Sequence, residues 1–124
     1  MPIRCRGLRG ATTVPANTPA AIIEGTRELL ETLIQANALQ PDDLASAIFT
    51  VTPDLDAAYP ARAARELGWA GVALMCATEI PVPAGIPRCV RVLIHWNTDK
   101  AQHELQHVYL HEARALRPDL TGGA

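Results

Sequence analysis

Cys89-Val90-Arg91-Val92-Leu93-Ile94 is the stretch on which the fold turns. Its branched, apolar composition reads as a β-strand. Alternation places Cys89, Arg91 and Leu93 on one face and Val90, Val92 and Ile94 on the other. Arg91 is the exception in the run. Its guanidinium keeps its charge, because its pKa lies above ~12. Burying it without a partner costs several kcal/mol. Arg91 therefore lies on a solvated strand face or meets an anion, either a protein carboxylate or a ligand. The rest of the chain favours a ligand.

Around this stretch, Arg88 to Trp96 forms the long strand, and Pro81 to Pro87 before it is a rigid, proline-punctuated loop. Gly71 to Cys76 reads as another strand. A short helix spans about Pro60 to Leu67, with Gly68 as its C′ residue. Ala45 to Thr52 is a strand, and Pro41-Asp42-Asp43 a turn. Thr18 caps a helix that has Pro19 at its first position. Ile22, Thr26, Leu29, Leu30, Leu33 and Ile34 make one apolar stripe that carries this helix to about Asn37. Ile3 to Ala11 reads as a strand interrupted by Gly7 and closed by Gly10, with Thr12 to Asn17 as a loop. After the long strand, Lys100 to Gln106 predicts a helical turn and Val108 to Leu110 a short strand. These elements predict a mixed α/β (α+β) fold, one β-sheet with helices packed on one face. Residues 1–120 form a single domain and 121–124 a flexible tail. The uncovered face calls for another subunit, and closed symmetric assemblies are the usual solution.

Composition narrows the function. The chain has 124 residues and 48% hydrophobic content, enough for one core, with only 4% aromatic. Net charge is −2 with no basic block, which argues against nucleic-acid binding. No stretch approaches the roughly 18 apolar residues of a membrane span, and the opening residues lack the apolar core of a signal peptide. Cys5, Cys76 and Cys89 are odd in number and lack C-x-x-C spacing, which suits a reducing, cytoplasmic setting. Of 11 basic residues only Lys100 is lysine. Arginine offers a planar fork of donors that matches a carboxylate bidentately. Genome composition is an equally good source of the bias, but it does not place Arg91 in a strand.

His103-Glu104-Leu105-Gln106-His107 matches H-E-x-x-H. Zinc chemistry would need both histidines on one helix face and a third ligand. Leu110 and Ala113 occupy the positions where the extended form has Gly and His, and Val108-Tyr109-Leu110 reads as strand. A surface histidine cluster is the simpler reading, so no metal is expected. Cys76 and Glu79 stand three apart at a strand end. Each is ordinary alone; with Arg9, Arg91 and Tyr109 they compose a polar pocket.

Arg6-Gly7-Leu8-Arg9-Gly10-Ala11-Thr12-Thr13-Val14 resembles the opening of the small monofunctional chorismate mutases of the AroH class. Thr52-Pro53-Asp54-Leu55-Asp56-Ala57-Ala58-Tyr59-Pro60-Ala61 is similar to that family's middle signature. Cys89-Val90-Arg91-Val92, His107-Val108-Tyr109-Leu110 and Leu116-Arg117-Pro118-Asp119-Leu120 are similar to its C-terminal half. The resemblance is colinear over nearly the whole chain. It implies a chorismate-mutase-like pseudo-barrel, a homotrimer with active sites at subunit interfaces, and isomerisation of chorismate to prephenate without cofactor or covalent intermediate. It further implies that Arg9, Arg91 and Tyr109 hold the enolpyruvyl part, with Arg91 also at the ether oxygen. Cys76 and Glu79 would bind the ring hydroxyl, and Tyr59 and Arg65 would reach in from a neighbouring chain. Arg117 would help close the site. Tyr59 stands where phenylalanine is expected, and Cys5-Arg6 is a small departure. The chemistry agrees: arginine forks suit a dicarboxylate, and a concerted [3,3] shift needs orientation and charge stabilisation rather than a base. Two other readings compete. One is a Rid-like trimeric imine deaminase. The other is a non-catalytic trimer that binds an aromatic-pathway carboxylate.

Overall fold

The computed structural model describes residues 2–117. The first strand, β1 (Arg4–Thr13), leads to helix α1 (Pro19–Asn37), strand β2 (Leu44–Val51) and short helix α2 (Ala61–Glu66). Strands β3 (Ala73–Thr78), β4 (Cys89–Thr98) and β5 (Val108–Tyr109) follow, and a 3-10 helix spans His111–Leu116. The five strands form one mixed sheet in the order β3-β2-β4-β1-β5. β4 pairs antiparallel with β1 and β2, while β3 and β5 add parallel edges.

Local chemistry sets the helix ends. Thr18 accepts the Ala21 amide at 3.1 Å, with Pro19 in the first turn, so α1 begins where a cap and a pre-set φ coincide. Gly68 takes φ +95°, and the amides of Gly68 and Trp69 bond back to Arg65 and Ala64, which closes α2 in a Schellman turn.

One face of the sheet carries the core. Leu8, Ala47, Phe49, Val92, Ile94 and Trp96 pack against Leu29, Leu30 and Leu33 of α1 and the alanines of α2. The opposite face is open, with Met75 at 57% and Leu93 at 37% exposure. Both helices thus lie on one side, as the alternation in β4 requires.

Three expectations shift. Gly10 does not close β1, which runs unbroken through both glycines to Thr13. A Cβ at Gly10 would sit 2.8 Å from Leu33 Cδ1 and 3.1 Å from Leu29 Cδ1. That glycine marks the close approach of α1, a reason outside its own strand. β3 lies two residues later than the apolar run suggested, because its register is set by pairing with β2. The segment after β5 is helical, which the sequence reading did not anticipate. The expected tail, 121–124, lies outside the described residues.

Candidate active site

Arg91 stands near the centre of the open face. Register aligns a row across all five strands: Ala77, Thr50, Arg91, Ala11 and Tyr109. Small residues flank the long ones, so the guanidinium and the phenol have room above the sheet. The next row aligns Met75, Ile48, Leu93 and Arg9.

Glu79 follows β3 immediately, and its amide bonds to Val51 O at 2.8 Å. That contact brings the carboxylate over β2, where it accepts from the Thr50 hydroxyl and meets Arg91 Nε at 3.3 Å. The Arg91 side chain is 46% exposed and that of Glu79 22%. An ion pair this open contributes roughly 0–1 kcal/mol to stability. Fold stability therefore does not account for an arginine in the central strand. Glu79 pairs with the guanidinium on its Nε side, which leaves the terminal N–H fork for a ligand, with the Cys89 thiol a weak competitor beside it. Burial pushes that thiol's pKa up, against the pull of Arg91, so Cys89 is neutral lining rather than a nucleophile.

Two cavities meet at Arg91. The larger, of ≈ 470 Å³, lies between Arg91, Glu79, Cys89 and the loop carrying Ile80, Val82 and Ile86. The smaller, of ≈ 270 Å³, is lined by Arg9, Ile48, Thr50, Arg91, Leu93 and Tyr109. Together they present the cations Arg9 and Arg91, the carboxylates Glu79 and Asp54, and apolar walls, the lining expected of a small-molecule site.

The proline loop is pinned at its return. Asp54 accepts from Thr52 Oγ1 at 2.5 Å and from the Arg88 amide at 2.9 Å. Thr52 Oγ1 also accepts the Cys89 amide at 3.0 Å. Arg88 takes φ +49°, costly for a residue with a Cβ, and Asp54 holds it there. Thr52's hydrogen bond, then that of the Arg88 amide, hold the Asp54 carboxyl below its ordinary pKa. With its lone pairs so engaged, Asp54 serves the loop.

The sequence candidates divide. Arg9, Arg91, Glu79 and Tyr109 line the joined cavities. Cys76 does not join them through its thiol. Register pairs it with Phe49, on the helix side, and its side chain packs against the main core. Alternation along β3 turns its side chain to the helix side, away from Arg91. Tyr59 is 73% exposed and Arg65 is also exposed; neither lines the cavities at Arg91. Arg117 follows Leu116, which lines the larger cavity, and its charge bears on His107.

The H-E-x-x-H stretch forms only a 3-10 turn, Gln102–Glu104, and Leu105 is extended. Glu104 caps that turn by accepting the Ala101 amide at 2.7 Å, and His107 Nδ1 accepts the Arg9 amide at 3.0 Å. The histidines do not share a helix face, and among the described residues no cluster of three or more His, Cys, Asp or Glu could hold a metal. No described helix is long and apolar enough to cross a membrane. Thr50 and His107 escaped the sequence reading as site residues. Pairing register brings the first to Arg91, and a contact across 98 positions brings the second to Arg9.

Comparison with known proteins follows the same lines. The sequence profile described as chorismate mutase type I matches residues 5–120. The chain is 54% identical over 116 residues to the chorismate mutase AroH of Thermus thermophilus, covering 93% of this chain and 95% of that one. It is 44% identical over 117 residues to the chorismate mutase AroH of Bacillus subtilis, covering 94% and 92%. The solved structure of a chorismate mutase from Clostridium thermocellum superposes with a TM-score of 0.87 at 50% identity, covering 89% of this chain and 98% of that one.

Proposed function

The chain belongs to the chorismate mutase type I family, and from that premise we propose how its own residues turn chorismate into prephenate. It is an isomerase of aromatic amino-acid biosynthesis. The rearrangement breaks one C–O bond and forms one C–C bond within a single molecule. Every atom stays in the product, and no proton need move.

Two things remain for the protein to supply. The first is conformation: the enolpyruvyl arm must be held over the ring. Arg9, from the neighbouring row, and Tyr109 hold that arm with Arg91. The second is charge. Negative charge grows on the ether oxygen as the C–O bond lengthens, and the Arg91 fork meets it. Glu79 orients that fork through Nε, complements the positive character left on the ring, and accepts the ring hydroxyl. The observation that carries this reading is the Arg91–Glu79 pair, 3.3 Å apart at the junction of two cavities. Cys76 contributes through its backbone, because its side chain packs against the core.

The assembly belongs to the same reading. We place the chain in a homotrimer whose sheets close a pseudo-barrel, with Tyr59 and Arg65 completing a neighbour's site and Arg117 closing over it. The open face with Met75 and Leu93, and the exposed Tyr59, Ile80 and Val82, support a partner surface. The free cysteines suit the cytoplasm. Following chorismate loss and prephenate formation with purified protein tests the function. Absence of turnover by an assembled, folded sample would overturn it. The deaminase and the non-catalytic binder lose their place to the family match over residues 5–120.

A further inference from the structure

The mechanism above leaves His107 without a role, yet its ring is built into the frame of the site. β5 pairs with β1 only at Gly10↔Val108 and Ala11↔Tyr109. One residue earlier that ladder has ended, and the Arg9 peptide N–H has no strand carbonyl opposite it. His107 Nδ1 accepts this N–H at 3.0 Å. The backbone just before the ring is held from α1. Asn37, 1% exposed, accepts the Gln106 amide at 2.9 Å and donates to Gln106 O at 3.0 Å. A third bond, from Asn37 Nδ2 to Leu33 O at 3.0 Å, fixes the amide to its own helix. The end of α1 thus sets residue 106, residue 106 sets the ring, and the ring sets the peptide that carries Arg9.

We propose that His107 is a positioning residue for the reaction: its Nδ1 acts as the last rung of the β1–β5 ladder and fixes the backbone from which Arg9 reaches the substrate carboxylate. This rests on the reading of Arg9 as a carboxylate ligand. Arg9 lines both the ≈ 270 Å³ cavity and a neighbouring one of ≈ 560 Å³ shared with His107 and His103. A shift of its peptide would move the guanidinium relative to Arg91 and misplace the enolpyruvyl arm. Only the neutral ring, protonated at Nε2, accepts at Nδ1. Burial, then the charges of Arg9 and Arg117, hold the ring below its ordinary pKa. Among the described residues, Arg9 on β1, Arg117 after the last 3-10 helix and His103 across the cavity are the charged or titratable groups around it.

The test compares His107→Ala and His107→Asn with Arg9→Ala. Asparagine puts an amide oxygen close to the place of Nδ1. His107→Ala should raise KM on the order of tenfold while kcat stays within roughly threefold, and His107→Asn should recover most of the loss. Amide exchange followed by NMR should show Arg9 N–H exchanging roughly tenfold faster in His107→Ala, with the amides of β4 unchanged. Unaltered KM in His107→Ala, a fall in kcat alone, no recovery with asparagine, or unchanged Arg9 exchange would each overturn the assignment. If the alanine variant fails to fold, exchange at Arg9 in the wild type decides, because acid should accelerate it beyond the intrinsic rate only if the ring is the acceptor. Wild-type KM for Arg9→Ala would remove the substrate role of Arg9 and leave the exchange result to judge His107.

Discussion

At the scale of single residues, Arg91 separates binding from turnover. Its charge matters more as the C–O bond breaks than in the bound substrate. Removing one such donor typically costs on the order of 10²–10³ in kcat, so Arg91→Ala should lose at least that much. Arg91→Lys keeps the charge but not the fork, and should also be badly impaired. Arg9→Ala, which removes carboxylate binding, should act more through KM. Steady-state kinetics on variants that still assemble will distinguish these outcomes. Arg91→Ala within a few-fold of wild type would refute the electrostatic mechanism. Arg91 announced itself in the sequence because a permanent charge inside an apolar strand demands either a solvated face or an anion. Thr50 gave no such signal: a threonine in a strand is ordinary until register sets it beside Arg91 and Glu79.

At the scale of elements, β1 and β3 show what pairing adds to pattern. Gly10 read as a stop, but it is a contact point for α1. Gly10→Ala should therefore cost about 1–3 kcal/mol through overpacking against Leu33, Leu29 and Val92. Gly7→Ala, whose Cβ would meet only Leu93 at 3.6 Å, should leave stability within ~1 kcal/mol. Denaturant midpoints at equal slope measure both. Equal effects would mean that helix approach is not the reason for Gly10. In β3, the two-residue offset places Cys76 within the strand rather than at its end. Its thiol packs on the helix side, so Cys76→Ser should keep kcat within a few-fold and show its cost in stability. A collapse of turnover in a stable Cys76→Ser variant would return the thiol to the site. α1, by contrast, was legible from end to end, because its cap, its proline and its apolar stripe are all local.

At the scale of the whole molecule, assembly and pH follow from the open face and the half-buried His107 ring. Light scattering after size exclusion should give a trimer mass; a fully active monomer would sink the shared-site proposal. The chemical step transfers no proton, so kcat should be nearly flat between roughly pH 6 and 8. Stability should not be. His107 is held below the ordinary histidine value of 6.5, so the unfolded chain takes up its proton first. The stability it contributes is complete above pH 6.5 and is lost as pH falls from there through its folded pKa. Asp54, held below 3.8, acts in the same direction at lower pH, losing its contribution as pH falls beneath that value. Thermal melts across this range should decline toward acid, and His107→Asn should flatten the upper part of the decline.

Local sequence was enough to put Arg91 in a strand where it needs water or an anion, to cap α1 at Thr18 and carry it to Asn37, and to set the helices on one face. Each of these rests on periodicity, capping or an invariable charge, which act over a few residues. Colinear resemblance added the family. It took the folded chain to show that β1 continues past Gly10, that Cys76 faces the core, and that Glu79, Thr50 and Arg91 meet. It alone tied His107 to Arg9. Those outcomes depend on strand register and on contacts between distant segments. A one-residue change of register exchanges the two faces of a strand while leaving its local pattern untouched.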